Sequence, residues 1–132
     1  MNDEERYAAG MTTRRAVLGA AYVDRAQANT TAFTADWQSF ITRVAWGEVW
    51  QRPGLDRRTR SLLTLSMLLA LGHDDEFQLH VRAAFNNGLT RDDLKELLMH
   101  GAIYCGVPAA NHGFKLAQEV FRAMDVEQTP SS

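Results

Sequence analysis

From Ser61 to Gly72 the chain is apolar almost without a break, and any fold must bury that stretch. It is long for a strand and too short to span a bilayer, which takes about 20 residues. What remains is a helix from Arg57 to Leu71, with Asp56 as its N-cap. From Leu62 onward this helix is apolar on nearly every side, so it is expected to be the central and most buried one.

The rest of the chain reads the same way. β-branched residues are never strung in alternation, and prolines stand only at Pro53, Pro108 and Pro130. A first helix is expected from Glu4 to Leu18, punctuated by Gly19, and a short second one from Val23 to Gln27. Thr34 to Trp46 places Phe33, Trp37, Phe40, Ile41 and Val44 on one face. Gly47 to Leu55 reads as a loop. His73 to Asn86 is helical and ends at Asn87-Gly88, a left-handed stop. Thr90 and Asp93 resemble a capping box, opening a helix whose apolar stripe is Leu94, Leu97, Leu98, Ala102 and Cys105. Gly106-Val107-Pro108 breaks the chain before a last helix from Ala109 to Met124. The class is all-α with about six to seven helices. A single domain covers 1–125, and a polar, disordered tail covers 126–132.

Length and charge narrow the function. A chain of 132 residues can bury its own core as one domain, and a net charge of −2 offers no electrostatic basis for nucleic acid or an acidic membrane. The acidic start, Met1-Asn2-Asp3-Glu4-Glu5, lacks the apolar segment of a secretory signal, and Cys105 is the only cysteine. A soluble, cytoplasmic protein is expected. Of its 14 basic residues only Lys95 and Lys115 are not arginine. Arginine binds carboxylates with a planar fork, which favours an anionic ligand, although nucleotide composition would give the same bias.

Glu76 and His80 lie one helical turn apart at the end of the buried layer. They suit proton transfer, with the carboxylate orienting the ring and raising its pKa, but an ordinary surface pair has the same spacing. His73, Glu76 and His80 also share a face and could be read as two histidines and a carboxylate for a metal, without matching any known metal motif. Tyr104, Cys105, Gly106 and Asn111 span a helix–Pro–helix corner able to receive an anion, or are core residues of a stripe. Trp46, Trp50 and Arg52 line a pocket or seal a subunit contact.

Several blocks are familiar. Arg6-Tyr7 with Gly10-Met11, Arg14-Arg15-Ala16-Val17-Leu18-Gly19, Ala45-Trp46-Gly47 and Arg52-Pro53-Gly54-Leu55 resemble gamma-carboxymuconolactone decarboxylases. So do His80 with Arg82-Ala83-Ala84, Asn86-Asn87-Gly88, and Tyr104-Cys105-Gly106 with Pro108-Ala109-Ala110-Asn111. The resemblance runs from about Arg6 to Phe121. It implies a compact helical domain of the alkyl hydroperoxidase D-like type, cofactor-free and without a metal, assembled as a homo-oligomer, typically a hexamer. Redox members of that superfamily carry Cys-x-x-Cys-x-x-x-His. Here the matching positions are His73, Glu76 and His80, which removes thiol chemistry and leaves acid–base chemistry.

The implied reaction belongs to protocatechuate breakdown, in the β-ketoadipate branch of aromatic catabolism. Its substrate is 4-carboxymuconolactone, an unsaturated γ-lactone with two carboxylates, and its product is the β-ketoadipate enol-lactone. Electrons freed by the departing carboxylate flow through the ring double bond to the lactone carbonyl, so the substrate supplies its own sink. His80, held by Glu76, is the expected proton donor. Arg60 and Arg15 lead as ligands of the surviving carboxylate, ahead of Arg52 and Arg82, with Trp46, Tyr104 and Asn111 as further substrate contacts. A related lactone lyase or isomerase, a non-catalytic helical oligomer that binds aromatic acids, and a metal-dependent hydrolase are the competing readings.

Overall fold

Asn2 opens the first helix, its side chain accepting a 2.8 Å hydrogen bond from the Glu5 amide. The acids Asp3, Glu4 and Glu5 then fill the first turn, where they favour the positive end of the helix dipole. A computed structural model describes residues 1–128. Its elements are α1 (Asp3–Leu18), α2 (Ala20–Ala28), α3 (Ala35–Ile41), a π-helix (Thr42–Val49), α4 (Arg57–Leu71), α5 (Asp74–Ala84), a 3-10 turn (Phe85–Asn87), α6 (Arg91–Cys105) and α7 (Val107–Gln128). The described residues contain no strand, as the sequence implies. They form two compact units, Met1–Arg57 and the part that begins at Arg58.

In the first unit, α1 lies directly against the π-helix. A Cβ on Gly10 would fall 2.0 Å from the Thr42 carbonyl oxygen and 2.8 Å from the Gly47 amide nitrogen. One on Gly47 would fall 2.3 Å from the Arg6 carbonyl oxygen. Backbone therefore meets backbone, which only glycine permits. Gln51 ties the far end down, donating through Nε2 to the Ala9 carbonyl at 3.0 Å and to the Thr13 hydroxyl. Val17 and Val23 are fully buried beside this crossing.

In the second unit, Leu65 and Leu69 of α4, Phe77 and Val81 of α5, Leu94 and Leu98 of α6, and Leu116 and Val120 of α7 share one core. Each such leucine contributes roughly 2 kcal/mol by leaving water. The 3-10 turn after α5 ends at Gly88, whose φ of 84° is the left-handed stop expected there. Thr90 and Asp93 form both bonds of a capping box. Gln78 of α5 reaches α7, donating to the Leu116 carbonyl at 3.2 Å and to Glu119 at 2.9 Å.

Four expectations need correction. The stretch from Gly47 is not all loop, because the helix begun at Ala35 continues as a π-helix to Val49. The last helix starts at Val107, since Pro108 falls in its first turn, where a missing N–H costs nothing. It also runs to Gln128, so the first residues of the expected tail are helical; Thr129 to Ser132 lie outside the described residues. Helix α4 is not buried all round. Ser61, Leu65 and Leu69 face the core, while Leu63, Met67 and Leu71 are 42%, 59% and 69% exposed. Helical spacing separates these two faces, and a uniformly apolar sequence does not reveal which is covered.

The backbone contact makes a clear prediction. Gly10→Ala should cost more than about 3 kcal/mol in urea unfolding, because neither facing backbone atom can yield. Gly54→Ala, with nothing within 4 Å of its added Cβ, should stay within about 0.5 kcal/mol of the parent.

Candidate active site

Helix α5 carries the Glu76–His80 pair. Phe77, Val81 and Ala84 point into the core at 2%, 0% and 0% exposure, and His80 stands beside Val81, partly buried. Glu76, one turn earlier, is exposed. Burial pushes the His80 pKa down from 6.5 to about 4, and the charge of Glu76 opposes that shift without overcoming it. The expectation that Glu76 raises the pKa therefore has the right sign for the pair and the wrong sign for the ring. No hydrogen bond joins the two side chains, and His80 Nδ1 is buried without a partner. At neutral pH the imidazole is uncharged and has an unspent nitrogen.

The other expected site residues are spread over both units. Arg60 is partly buried in the first turn of α4, and Asn111 is exposed early in α7. Tyr104 is 78% exposed, and its ring lies 5.0 Å from that of His100. It borders a cleft of about 280 Å³ between α4 and α6, lined by Ser66, Leu69, Leu97, His100, Tyr104 and Cys105 among others, but not by His80 or Glu76. In the first unit, Trp46 is buried with its ring 5.1 Å from that of Trp50. Arg15 is exposed and paired with Asp24. Arg82 grips Glu127 through two bonds of 2.7 and 3.0 Å. Both arginines already hold a carboxylate.

Residues 35–119 match the Carboxymuconolactone decarboxylase family. The chain belongs to that family. It is 52% identical, over 96% of its own length and 94% of the other's, to the 4-carboxymuconolactone decarboxylase of Acinetobacter baylyi. It is 44% identical, over 87% of its length and 80% of the other's, to nitrosuccinic acid decarboxylase npaB of Metarhizium robertsii. A 4-carboxymuconolactone decarboxylase sequence from Pseudomonas putida matches at 48% identity over 48 residues, which is all of that sequence and 36% of this one.

Two features of this family member escaped the sequence motifs. His112, with no assigned role, bonds the Asp74 carboxylate at 2.8 Å and ties α7 to the start of α5. A carboxylate only accepts, so His112 Nε2 carries the proton. The second feature is Arg14, buried at 3% exposure. Its helical spacing from Gly10 and Val17 already puts it on the packed face of α1, whereas Arg15 is turned away. Among the described residues no three His, Cys, Asp or Glu side chains are grouped to hold a metal, His73, Glu76 and His80 included.

The depressed His80 pKa links stability to pH with a definite sign. Between 6.5 and about 4 the unfolded chain binds a proton at His80 and the folded chain does not. The contribution is thus fully present above 6.5 and is lost as pH falls toward 4, an effect on the order of 3 kcal/mol. Urea unfolding across this window should show the parent losing more stability than His80→Gln. Parallel curves would mean the ring is solvated.

Proposed function

We propose that this chain decarboxylates 4-carboxymuconolactone to the β-ketoadipate enol-lactone, without a cofactor, in protocatechuate degradation. The observation that carries the reading is the likeness to the Acinetobacter enzyme across nearly the whole chain. The chemistry of the second relative's substrate agrees. Nitrosuccinic acid has a carboxyl on the carbon that bears its nitro group, and it has a second carboxyl. In both molecules a carboxylate can leave from a carbon joined to a built-in electron sink while another carboxylate remains.

The steps balance on the substrate alone. The bond from the γ-carbon to its carboxylate breaks and CO2 leaves. The electron pair enters the ring double bond and reaches the lactone oxygen as a dienolate. A proton added at the α-carbon gives the enol-lactone, so one proton is consumed per turnover. His80 is the proton donor in this reading. Empty, the site keeps the ring neutral. A substrate with two negative charges favours the imidazolium, so binding loads the donor with its proton. Glu76, an exposed carboxylate one turn away, acts in the same direction through its field. Arg60, Tyr104 and Asn111 of the second unit are the proposed substrate contacts; Trp46 and Arg15 belong to the first unit, where Asp24 holds Arg15.

The working form is a homo-oligomer, in our reading a hexamer. Leu63, Met67 and Leu71 form an exposed apolar row on α4, and Met99 and Ile103 of α6 are 58% and 79% exposed. Surfaces of this kind are covered in assemblies. Among the described residues no helix is long and apolar enough to cross a membrane, and Cys105 is a free thiol; both agree with a cytoplasmic enzyme.

Turnover of freshly made 4-carboxymuconolactone, read as CO2 and enol-lactone, tests the proposal. His80→Ala should lower kcat by 10²- to 10⁴-fold while keeping the parent's circular dichroism and oligomer mass. Glu76→Gln should lose less, about tenfold, because it acts through His80. A folded parent that releases no CO2 would remove the reading.

A further inference from the structure

Arg58 pairs with Asp93 near the starts of α4 and α6, and Gly101 meets Leu69 near their ends, so the two helices run side by side in the same direction. The cleft of about 280 Å³ between them takes no part in the proton chemistry described above. An apolar cavity of about 150 Å³ is enough for benzene, so this one has room for a two-ring molecule. Leu69 and Leu97 wall it, and Gly101 has no side chain to fill it. The rings of His100 and Tyr104, 5.0 Å apart and 32° from parallel, give it a flat aromatic side. Offset stacking on such a pair favours a planar aromatic guest.

The polar groups of the cleft select the chemistry of that guest. Ser66 donates its own proton to the Leu62 carbonyl at 2.8 Å, so its oxygen is left to a guest as an acceptor only. Toward the helix starts the cleft continues into a hollow of about 310 Å³, which shares Ser66, Leu97 and His100 and adds Asp93 and Glu96. Asp93 is spent on Arg58 and Thr90, whereas Glu96 is an exposed carboxylate. Among the described residues no arginine or lysine lines either space. An anionic guest would lose water there and meet like charge, while a neutral N–H or O–H donor meets an acceptor.

We propose that the α4–α6 cleft is a binding site for a small neutral aromatic molecule of two rings with one hydrogen-bond donor, received by the Ser66 hydroxyl oxygen. It is a second site, since neither His80 nor Glu76 lines it. It stands whether or not the decarboxylase reading does.

Indole is the probe. Benzofuran, with an oxygen in place of the N–H, is the control for the donor, and indole-3-acetate is the control for charge. Calorimetry on the intact protein gives each Kd, and Cys105, the single cysteine, reports occupancy from inside the cleft. We expect indole to bind and to slow alkylation of Cys105 by iodoacetamide. Benzofuran and indole-3-acetate should each bind roughly fivefold more weakly, or worse. Ser66→Ala should bring indole and benzofuran to the same Kd, and Ser66→Leu should fill the cleft and abolish both binding and protection. Ser66 is exposed on a helix, so both variants should keep the parent's circular dichroism. Tyr104 is left intact because it is among the proposed substrate contacts. The proposal is overturned if the parent does not bind indole, if Ser66→Leu keeps the parent's affinity, or if either control binds as tightly as indole. It is equally overturned if Cys105 reacts only after dilution, which marks a second copy in the cleft. Competitive inhibition of lactone turnover by indole would give the cleft to the substrate and overturn it too.

Discussion

Helices in both units meet at glycines, and the electrostatics of the molecule follow from that. Gly10 and Gly47 bring α1 onto the π-helix with backbone against backbone. In the second unit, Gly101 and Gly113 have Leu69 and Leu98 methyl groups so near that a Cβ would fall 2.6 to 2.9 Å from them. Spacing this close leaves no room for water. Any polar group on those faces must find a partner or bear its desolvation.

Two groups bear it. His80, beside buried Val81, stays neutral because the ring is more easily kept uncharged than solvated. Arg14 has no such option and keeps its charge with one long hydrogen bond. A neutral base and an unanswered cation have one requirement in common, which is negative charge. Four of the protein's own acids are spent elsewhere: Asp24, Asp93, Asp125 and Glu127 each hold an arginine.

Much of the fold was legible because local rules decided it. Helical periodicity, the Asn87-Gly88 stop and the Thr90–Asp93 box depend on residues within one or two turns, and the structure keeps them all. The π-helix was not legible, because Gly47 looks like a loop residue until α1 is there to need it. The exposed row of α4 was hidden for a similar reason, since Leu63 and Leu65 are the same in sequence and opposite in burial. At the candidate site the Glu76–His80 pair could be read from spacing. The sign of the pKa shift could not, since desolvation depends on how deeply tertiary packing buries the ring. The burial of Arg14 was in the sequence to be found, since Arg14, not Arg15, shares its face with Gly10 and Val17.

The central claim is that desolvation holds His80 neutral until an anion arrives. Its most direct test is the NMR titration of the His80 ring in the free protein and in its complex with furan-2-acetate, which has the ring and acetate arm of the dienolate. We expect a midpoint near 4 in the free protein, moving upward in the complex. A midpoint near 6.5 in the free protein, or one that the bound acid leaves unchanged, would contradict the claim.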